Sequence, residues 1–440
     1  MSLRVQDFRR WFLSQLVSSS GTMTQGVALA WLVLKLSDRG VDLGALSAFA
    51  MLPVLVGAPF AGGLVDRFDK RRLLVVTQST FLVLALALGL LTSTGAVRLW
   101  MVFLLATGFG VVGALDGPAR QLYVLDLVGV NRAASAISLN EVVLNVSRVL
   151  GPAVGGALVA TVGVATCFYV NAATFVLPLV VLAFGSPRAR TPAPVGPDPD
   201  PVAMVGTGAG LDNRDCNRDV SGTRDEVGSG AWASPAQRVS IARGVAYAWG
   251  APVIRYGILM AGASGMVFNL GVALPLVATR TFDLGAGGYA VMMVAFGLGA
   301  IAGAGIAGAG SAYPSTGRVR GLALATGASV LLAASMPALL EELVALAATG
   351  LTSIWFVASA NTLVQLRTDA AHRGRVMGLW VMALPGLGVL TGPLTGWVAQ
   401  TVGPREAFGL GGVALFVSAV AAWRAYGTRS DLRPTASVIR

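Results

Sequence analysis

Gly151-Pro152-Ala153-Val154-Gly155-Gly156, followed by Thr161-Val162-Gly163, returns 241 residues later as Gly392-Pro393-Leu394-Thr395-Gly396 and Thr401-Val402-Gly403, with one deletion before the second Thr-Val-Gly. Asn131-Arg132 leads into the first copy and His372-Arg373 into the second. Each copy sits in an apolar window of about twenty residues, the length that crosses a hydrocarbon layer. Such windows recur along the chain, and the reading places them at 12–35, 43–64, 73–94, 98–124, 136–160, 165–185, 252–277, 287–310, 320–338, 343–365, 376–400 and 406–426. The repeat makes the fifth and eleventh equivalent. The expected fold is therefore an all-α integral membrane protein: twelve transmembrane helices in two pseudo-symmetric six-helix bundles, with a binding cavity between them.

Composition agrees. Apolar residues are 55% of the 440 positions and charged residues only 12%, about half the usual share for a soluble domain. The net charge of +11 does not signal nucleic acid, because the basic residues fall in short clusters between apolar segments rather than in one stripe. With the N-terminus inside, 25 Lys and Arg lie on the inner side. Lys35, Arg39, Arg98, Arg280 and Arg405 lie outside, and Arg120 and Arg148 within spans. That bias places both termini in the cytoplasm of a multi-pass cell-membrane protein.

Organisation follows. Residues 1–185 form the first bundle, 186–240 a hydrophilic cytoplasmic linker, 241–426 the second bundle and 427–440 a tail. The linker's 192–230 region is rich in Pro, Gly, Asp and Arg without periodicity, so it reads as disordered. Ile241–Trp249 reads as an interfacial helix leading into the seventh span. Met1–Arg10 lacks a cleavable signal pattern. Cys167 and Cys216 support no disulfide framework.

Gly62-Gly63-Leu64-Val65-Asp66-Arg67-Phe68-Asp69-Lys70-Arg71-Arg72, between the second and third spans, resembles the signature loop of the major facilitator superfamily, with Asp69 where Gly is usual. Asp116-Gly117-Pro118-Ala119-Arg120-Gln121, Ser138-Leu139-Asn140 and Asn145-Val146-Ser147-Arg148-Val149-Leu150-Gly151-Pro152 look like its branch of macrolide efflux pumps and enterobactin exporters. The resemblance covers about 8–185 and 240–426. It implies alternating access and an ionic latch of Asp66 and Arg67 with Asp126 that favours the outward-open state. Arg67, Lys70, Arg71 and Arg72 would stay near anionic lipid heads, an arrangement that also serves as a topogenic anchor. Gly151, Pro152, Gly155 and Gly156 resemble the antiporter motif of exporters, without its upstream glycines. They read as a bendable seal between halves or as ordinary tight packing.

Ionisable groups at span depth are costly, so each is a functional candidate. Asp116 and Arg120 stand four apart, and Glu141 and Arg148 seven apart, so each pair shares a helix face. A carboxylate poised between desolvation and a neighbouring Arg is a proton carrier, with Asp116 first and Glu141 second. The alternative is a static ion pair that fixes helix register. Glu141 stands where the branch carries a small polar residue. By family analogy, spans one, four, seven and ten line the substrate cavity. Gln15, Ser18, Ser19, Thr22, Gln25, Asn269 and Asn361 are the polar candidates there, and Trp355 and Trp380 the flat apolar ones, with interhelical bonding and lipid contact as the bland reading.

Lys35 and Lys70 are the only lysines, and neither ends a phosphate-binding glycine loop. One histidine, His372, and two distant cysteines make no metal cluster and no credible Ser-His-Asp triad. The expectation is a monomer without cofactor that is not an enzyme. Its partners would be a small-molecule substrate, the proton and the lipid bilayer, with no nucleic acid. The leading function is export of a moderately hydrophobic molecule, such as a drug or siderophore, by proton antiport. An importer or uniporter on the same fold, and a non-transporting sensor or scaffold, are the alternatives. Accessibility labelling of single cysteines introduced at 190–235 should place that stretch on the same side of the bilayer as the loop at 66–72; labelling from opposite sides removes the topology.

Overall fold

A computed structural model describes residues 5–65, 67–129, 132–184, 245–309, 313–369 and 372–427. Among these the chain is helical throughout, without a strand. The first six helices are α1 (Gln6–Ser37), α2 (Gly40–Val65), α3 (Lys70–Ser93), α4 (Leu99–Val128), α5 (Ala133–Thr161) and α6 (Val164–Phe184). A helical turn at 245–250 precedes the second set. That set comprises α7a (Pro252–Val267), α7b (Leu270–Arg280), α8 (Ala286–Ala309), α9 (Thr316–Ser335), α10 (Leu339–Arg367), α11a (Arg373–Val381), α11b (Gly388–Thr401) and α12 (Pro404–Gly427). These are the twelve expected spans, with the seventh and eleventh interrupted. The linker read at 186–240 and the tail beyond Gly427 lie outside the described residues.

Ten of these segments are long and apolar enough to cross a bilayer. The other two long helices are α1, which carries a run of Ser, Thr and Gln, and α9, which has Arg318 and Arg320 in its first turns. Both pack within the bundles, so their polar faces need not meet lipid.

The repeat has a clear local meaning. Gly163 and Gly403 have positive φ, +110° and +158°. Each glycine donates its N–H back five residues, Gly163 to Leu158 O at 2.8 Å and Gly403 to Val398 O at 3.0 Å. Thr-Val-Gly is thus the same helix stop in both halves, closing α5 and α11b where an L side chain would be strained. α11 departs from α5 in its middle: Met382–Gly386 winds as a π-helix. Pro385 within it has no N–H to donate to the preceding turn, and a wider turn absorbs the fault.

The halves meet along two seams. In one, α2 lies on α11b so closely that a Cβ on Gly40 would stand 2.7 Å from Gly396 O, and one on Gly44 2.7 Å from Pro393 Cα. In the other, α5 lies on α8: a Cβ on Gly156 would overlap Ala290, and one on Gly297 would stand 2.8 Å from Arg148 O. Inside the halves, α5 packs on α1 through Gly151 and Gly155, and α11 packs on α7a where Gly265 meets Leu384 O. α5 with α1 and α8 therefore mirrors α11 with α7 and α2, as a duplication requires.

Both seams run from the middle of the helices toward the end that carries the α1–α2, α7–α8 and α11–α12 turns. There Arg280 Nη2 donates to Asp38 O at 2.8 Å, with Asp38 Oδ1 at 3.7 Å, and Val41 N donates to Gln400 Oε1 at 3.4 Å. No comparable seam joins α4, α10 or α11a to the opposite half among the described residues. Among the described residues the bundles are sealed together at one end only. Gly396→Leu, which drives a side chain into the α2 backbone, should cost about 1–3 kcal/mol of stability. It should also raise the thiol-reagent reactivity of a cysteine placed at Ser47, beside Gly392; an unchanged melting temperature and reactivity would show that the seam tolerates separation.

Candidate transport site

The N-terminal half holds a buried polar knot between α3 and α4. Asp116 is 3% exposed. Its Oδ1 accepts from Thr77 Oγ1 at 2.7 Å and Gln78 Nε2 at 2.8 Å, and its Oδ2 pairs with Arg120 one turn on. The Asp116–Arg120 pairing read from the four-residue spacing is therefore present, with two further donors from α3. Three donors on two oxygens make a satisfied site, the kind that fixes helix register. Pro118 lies between the pair, and α4 remains helical across it.

Gln15 sits near this knot by register. Trp11 meets Tyr123 edge-on at 5.0 Å, and α1 and α4 run antiparallel, so the turn after Trp11 lies level with Ala119–Arg120. Gln15 is buried, yet neither its amide oxygen nor its nitrogen has a hydrogen-bond partner, and Arg120 Nε, Gln78 Oε1 and Trp11 Nε1 are likewise unmatched. Gln15, Ser19, Thr22 and Gly26 share one face of α1 at spacings of four, three and four. Thr22 and Gly26 are exposed, and nothing approaches Gly26 within 4 Å. On α4, Gly113 and Gly117 are equally open. Of this open face, Gln15, Ser19 and Thr22 are cavity candidates read from the sequence.

Other candidates fall elsewhere. Ser18 is buried, and its carbonyl accepts from Thr22 Oγ1 at 3.0 Å. Gln25 Oε1 accepts from Asn171 Nδ2 at 2.7 Å, which ties α1 to α6. Asn269 stands at the break between α7a and α7b and donates to Thr391 Oγ1 at 2.9 Å. Asn361 accepts from Gln365 on the next turn of α10. Trp380 is buried in the core of the C-terminal half, and Trp355 packs against that core. For Gln25, Asn269 and Trp380 the interhelical role is therefore the one on view. Arg148 Nη1 donates to Asn145 Oδ1 at 3.0 Å; the side chain of Glu141 lies outside the described residues.

At the unsealed end, Asp69 caps α3 by accepting from Arg72 N at 2.8 Å. Lys70 Nζ reaches Asp126 Oδ2 at 3.2 Å, and Arg71 Nε donates to Leu182 O at 2.7 Å, binding the loop to α4 and α6. Asp126 thus has its cation from the signature loop, but from Lys70. Arg67 and Arg72 are exposed. Asp66 and the surroundings of Gly62 and Gly63 lie outside the described residues. In the span-five motif, Thr24 Oγ1 donates to Gly151 O at 3.0 Å and Pro152 is buried. Of the motif's glycines, Gly156 faces the opposite half, and Gly151 and Gly155 face α1.

Sequence reasoning missed Thr77 and Gln78, which an apolar third span hides, and Glu342. Glu342 is 1% exposed in the first turn of α10, with both carboxylate oxygens unpartnered. The expected tenth span, 343–365, starts one residue after it. The signal was its place three, four and seven residues before the buried Ala345, Leu346 and Thr349.

The chain matches two family descriptions, Transmembrane secretion effector over residues 1–196 and Major Facilitator Superfamily over 256–438. It is 29% identical over 172 residues to the Staphyloferrin A transporter of Staphylococcus aureus, covering 39% of this chain and 43% of that one. It is 26% identical over 181 residues to the multidrug efflux pump Tap of Mycobacterium tuberculosis, covering 38% and 41%. The matched stretch thus spans less than half the length of these curated relatives. Its fold is similar to that of a bacterial homologue of the human lysosomal transporter Spinster in an inward-facing and occupied conformation, with a TM-score of 0.67, 14% identity and 98% of each chain covered. It is also similar to the nucleoside transporter NupG, with a TM-score of 0.66, 12% identity and 96% and 99% covered. Twelve helices in two mirrored bundles, the signature loop and both family matches lead to one statement: this chain belongs to the major facilitator superfamily.

Proposed function

We propose that this protein is a secondary exporter that moves a small, moderately hydrophobic organic molecule, a drug or a siderophore, out of the cell in exchange for protons. The observation that carries the reading is the one-ended closure of the bundles. Glycine-lined seams and the Arg280–Asp38 contact shut one end, and the polar face of α1 and the open glycines of α4 lead toward the other. A site enclosed from one side and approachable from the other is what alternating access needs. The likeness to a siderophore transporter and a multidrug efflux pump supports this substrate class and the outward direction.

In this reading the termini and the linker at 186–240 are cytoplasmic, as the 25-to-5 distribution of Lys and Arg favours. Residues 1–185 and 241–426 are then the two moving bundles, working as a monomer, and 427–440 is a cytoplasmic tail. The sealed end is the outer one, so the protein faces inward. Substrate contacts Gln15, Ser19 and Thr22. Gly156 is the hinge of the seal. The Lys70–Asp126 contact and the basic signature loop steady the inner end; at about a third exposed, that pair contributes at most about 1 kcal/mol. Glu141 stays a second candidate for coupling beside Asp116.

Overexpression in a host stripped of its own exporters should lower accumulation of fluorescent hydrophobic dyes, and collapsing the proton gradient should restore it. Higher accumulation would mean import, and no change in any compound would favour a sensor or scaffold.

Asp116→Asn should separate the two roles of the α3–α4 knot. It leaves Arg120, about a quarter exposed, without its anion. The expected loss of stability is about 2–3 kcal/mol, less than the ~3–5 kcal/mol of a fully buried broken pair. If Asp116 carries the coupled proton, dye export from reconstituted vesicles loses its dependence on the imposed pH gradient. Full gradient-driven export with lowered thermal stability leaves it the structural role alone.

A further inference from the structure

Three turns of the C-terminal half converge at the sealed end: Phe282 after α7b, Met336 after α9 and Arg405 at the start of α12. Arg405 Nη2 donates to Met336 O at 2.6 Å, its guanidinium lies 5.6 Å over the Phe282 ring, and its Nε has no partner. Against this cluster lies Glu342, buried, with neither oxygen hydrogen-bonded. Arg405 is the charged group that acts on it, yet the guanidinium is turned to a carbonyl and a ring rather than to the carboxyl group. The remaining ionisable groups of these turns, Asp283, Glu341 and Glu406, are exposed. Arg280 is exposed and held by Asp38, and α8 contributes only the buried phenol of Tyr289.

An ionised carboxylate at this depth with no donor costs several kcal/mol, whereas the neutral acid costs far less. Nor is the arrangement a permanent ion pair like Asp116–Arg120, for a permanent pair would have its donors in place. The geometry is that of a group which is neutral in this conformation and has a cation waiting. We propose that Glu342 is a proton-binding site that must be loaded before this end of the transporter closes.

The inference rests on the inward-facing reading above and names a protonation gate at its outer end. Arg280, which clasps the opposite half, stands two residues before Phe282. Opening this end pulls Arg280 from Asp38 and moves the ring beneath Arg405. Water then reaches Glu342, the acid gives its proton to that water, and the carboxylate so formed takes the unmatched Arg405 Nε–H. Closing runs the other way: a proton from the outer solution neutralises Glu342, the Arg405 contact lapses, and the neutral side chain is buried again. Glu342 thus releases and takes its proton at the outer face, so it gates closure of that end and carries no net proton across the membrane.

The test uses the full-length chain in lipid nanodiscs, with Cys167 and Cys216 replaced by alanine and spin labels on cysteines at Arg39 and Thr401, both exposed at the sealed end. The wild-type inter-label distance should be short in acidic buffer and lengthen in alkaline buffer; Glu342→Gln should stay short in both. Infrared spectra of the acidic state should show the carbonyl stretch of a buried carboxylic acid that Glu342→Gln removes. A pH-dependent lengthening retained in Glu342→Gln, or a wild-type distance that ignores pH, overturns the proposal. Should Glu342→Gln fail to insert, Arg405→Gln decides: without the waiting cation, opening should require more alkaline buffer, and an unshifted pH midpoint overturns the proposal. If proton-driven dye export persists unchanged in Glu342→Gln, this inference alone falls. If the wild type moves no substrate under an imposed proton gradient, the antiport reading alone falls.

Discussion

Helix backbones in a bilayer approach one another only where side chains are nearly absent, and the contacts of Gly40 and Gly44 with Gly392 and Gly396 show how far this chain takes that rule. Lipid is as apolar as leucine, so helices gain little by hiding apolar surface from it; close packing and hydrogen bonds hold the association together. A seam of facing glycines is tight and smooth. It can close a path to water along several turns and can part without tearing many side-chain bonds. The α5–α8 seam around Gly156 and Gly297 is its pseudo-symmetric mate, and the two share the closure between them.

With one end shut by backbone contact, the polar residues inside divide into two kinds. Both carboxylate oxygens of Asp116 are met, by Thr77, Gln78 and Arg120, and the group ties α3 to α4 within one bundle, where no relative movement is required. Gln15 and Glu342 are buried without partners and stand at places that the movement of the bundles would change. An unmatched polar group is a cost in this conformation, and the cost is removed when another conformation, a proton or a ligand supplies the missing contact. Satisfied groups hold each half rigid, and unsatisfied ones bias the halves between states.

The interruptions of α7 and α11 belong to the same picture. The break at Phe268–Asn269 and the π-turn at Met382–Gly386 meet neighbouring helices, where the Asn269–Thr391 bond and the close approach of Gly265 to Leu384 O accommodate irregular backbone. In hydrocarbon, loose carbonyl and N–H groups are tolerated only where protein surrounds them or water reaches them. The break and the π-turn interrupt two helices of the C-terminal half, whereas α1 and α5 of the N-terminal half run unbroken.

Twelve spans, their order and the twofold repeat were legible in the chain, because each depends on residue type at a fixed local spacing. Hydrocarbon demands about twenty apolar residues, and a Thr-Val-Gly helix stop reads the same wherever it occurs. The Asp116–Arg120 pair was legible for the same reason, since four residues make one helical turn. The partners that belong to other helices were not. Lys70 rather than Arg67 stands opposite Asp126 among the described residues, Thr77 and Gln78 reach Asp116 from α3, and Glu342 turns inward beside Arg405, 63 positions away. Local spacing fixes which way a side chain leaves its own helix. What it then meets depends on how helices distant in sequence are packed, and that was decided only in three dimensions.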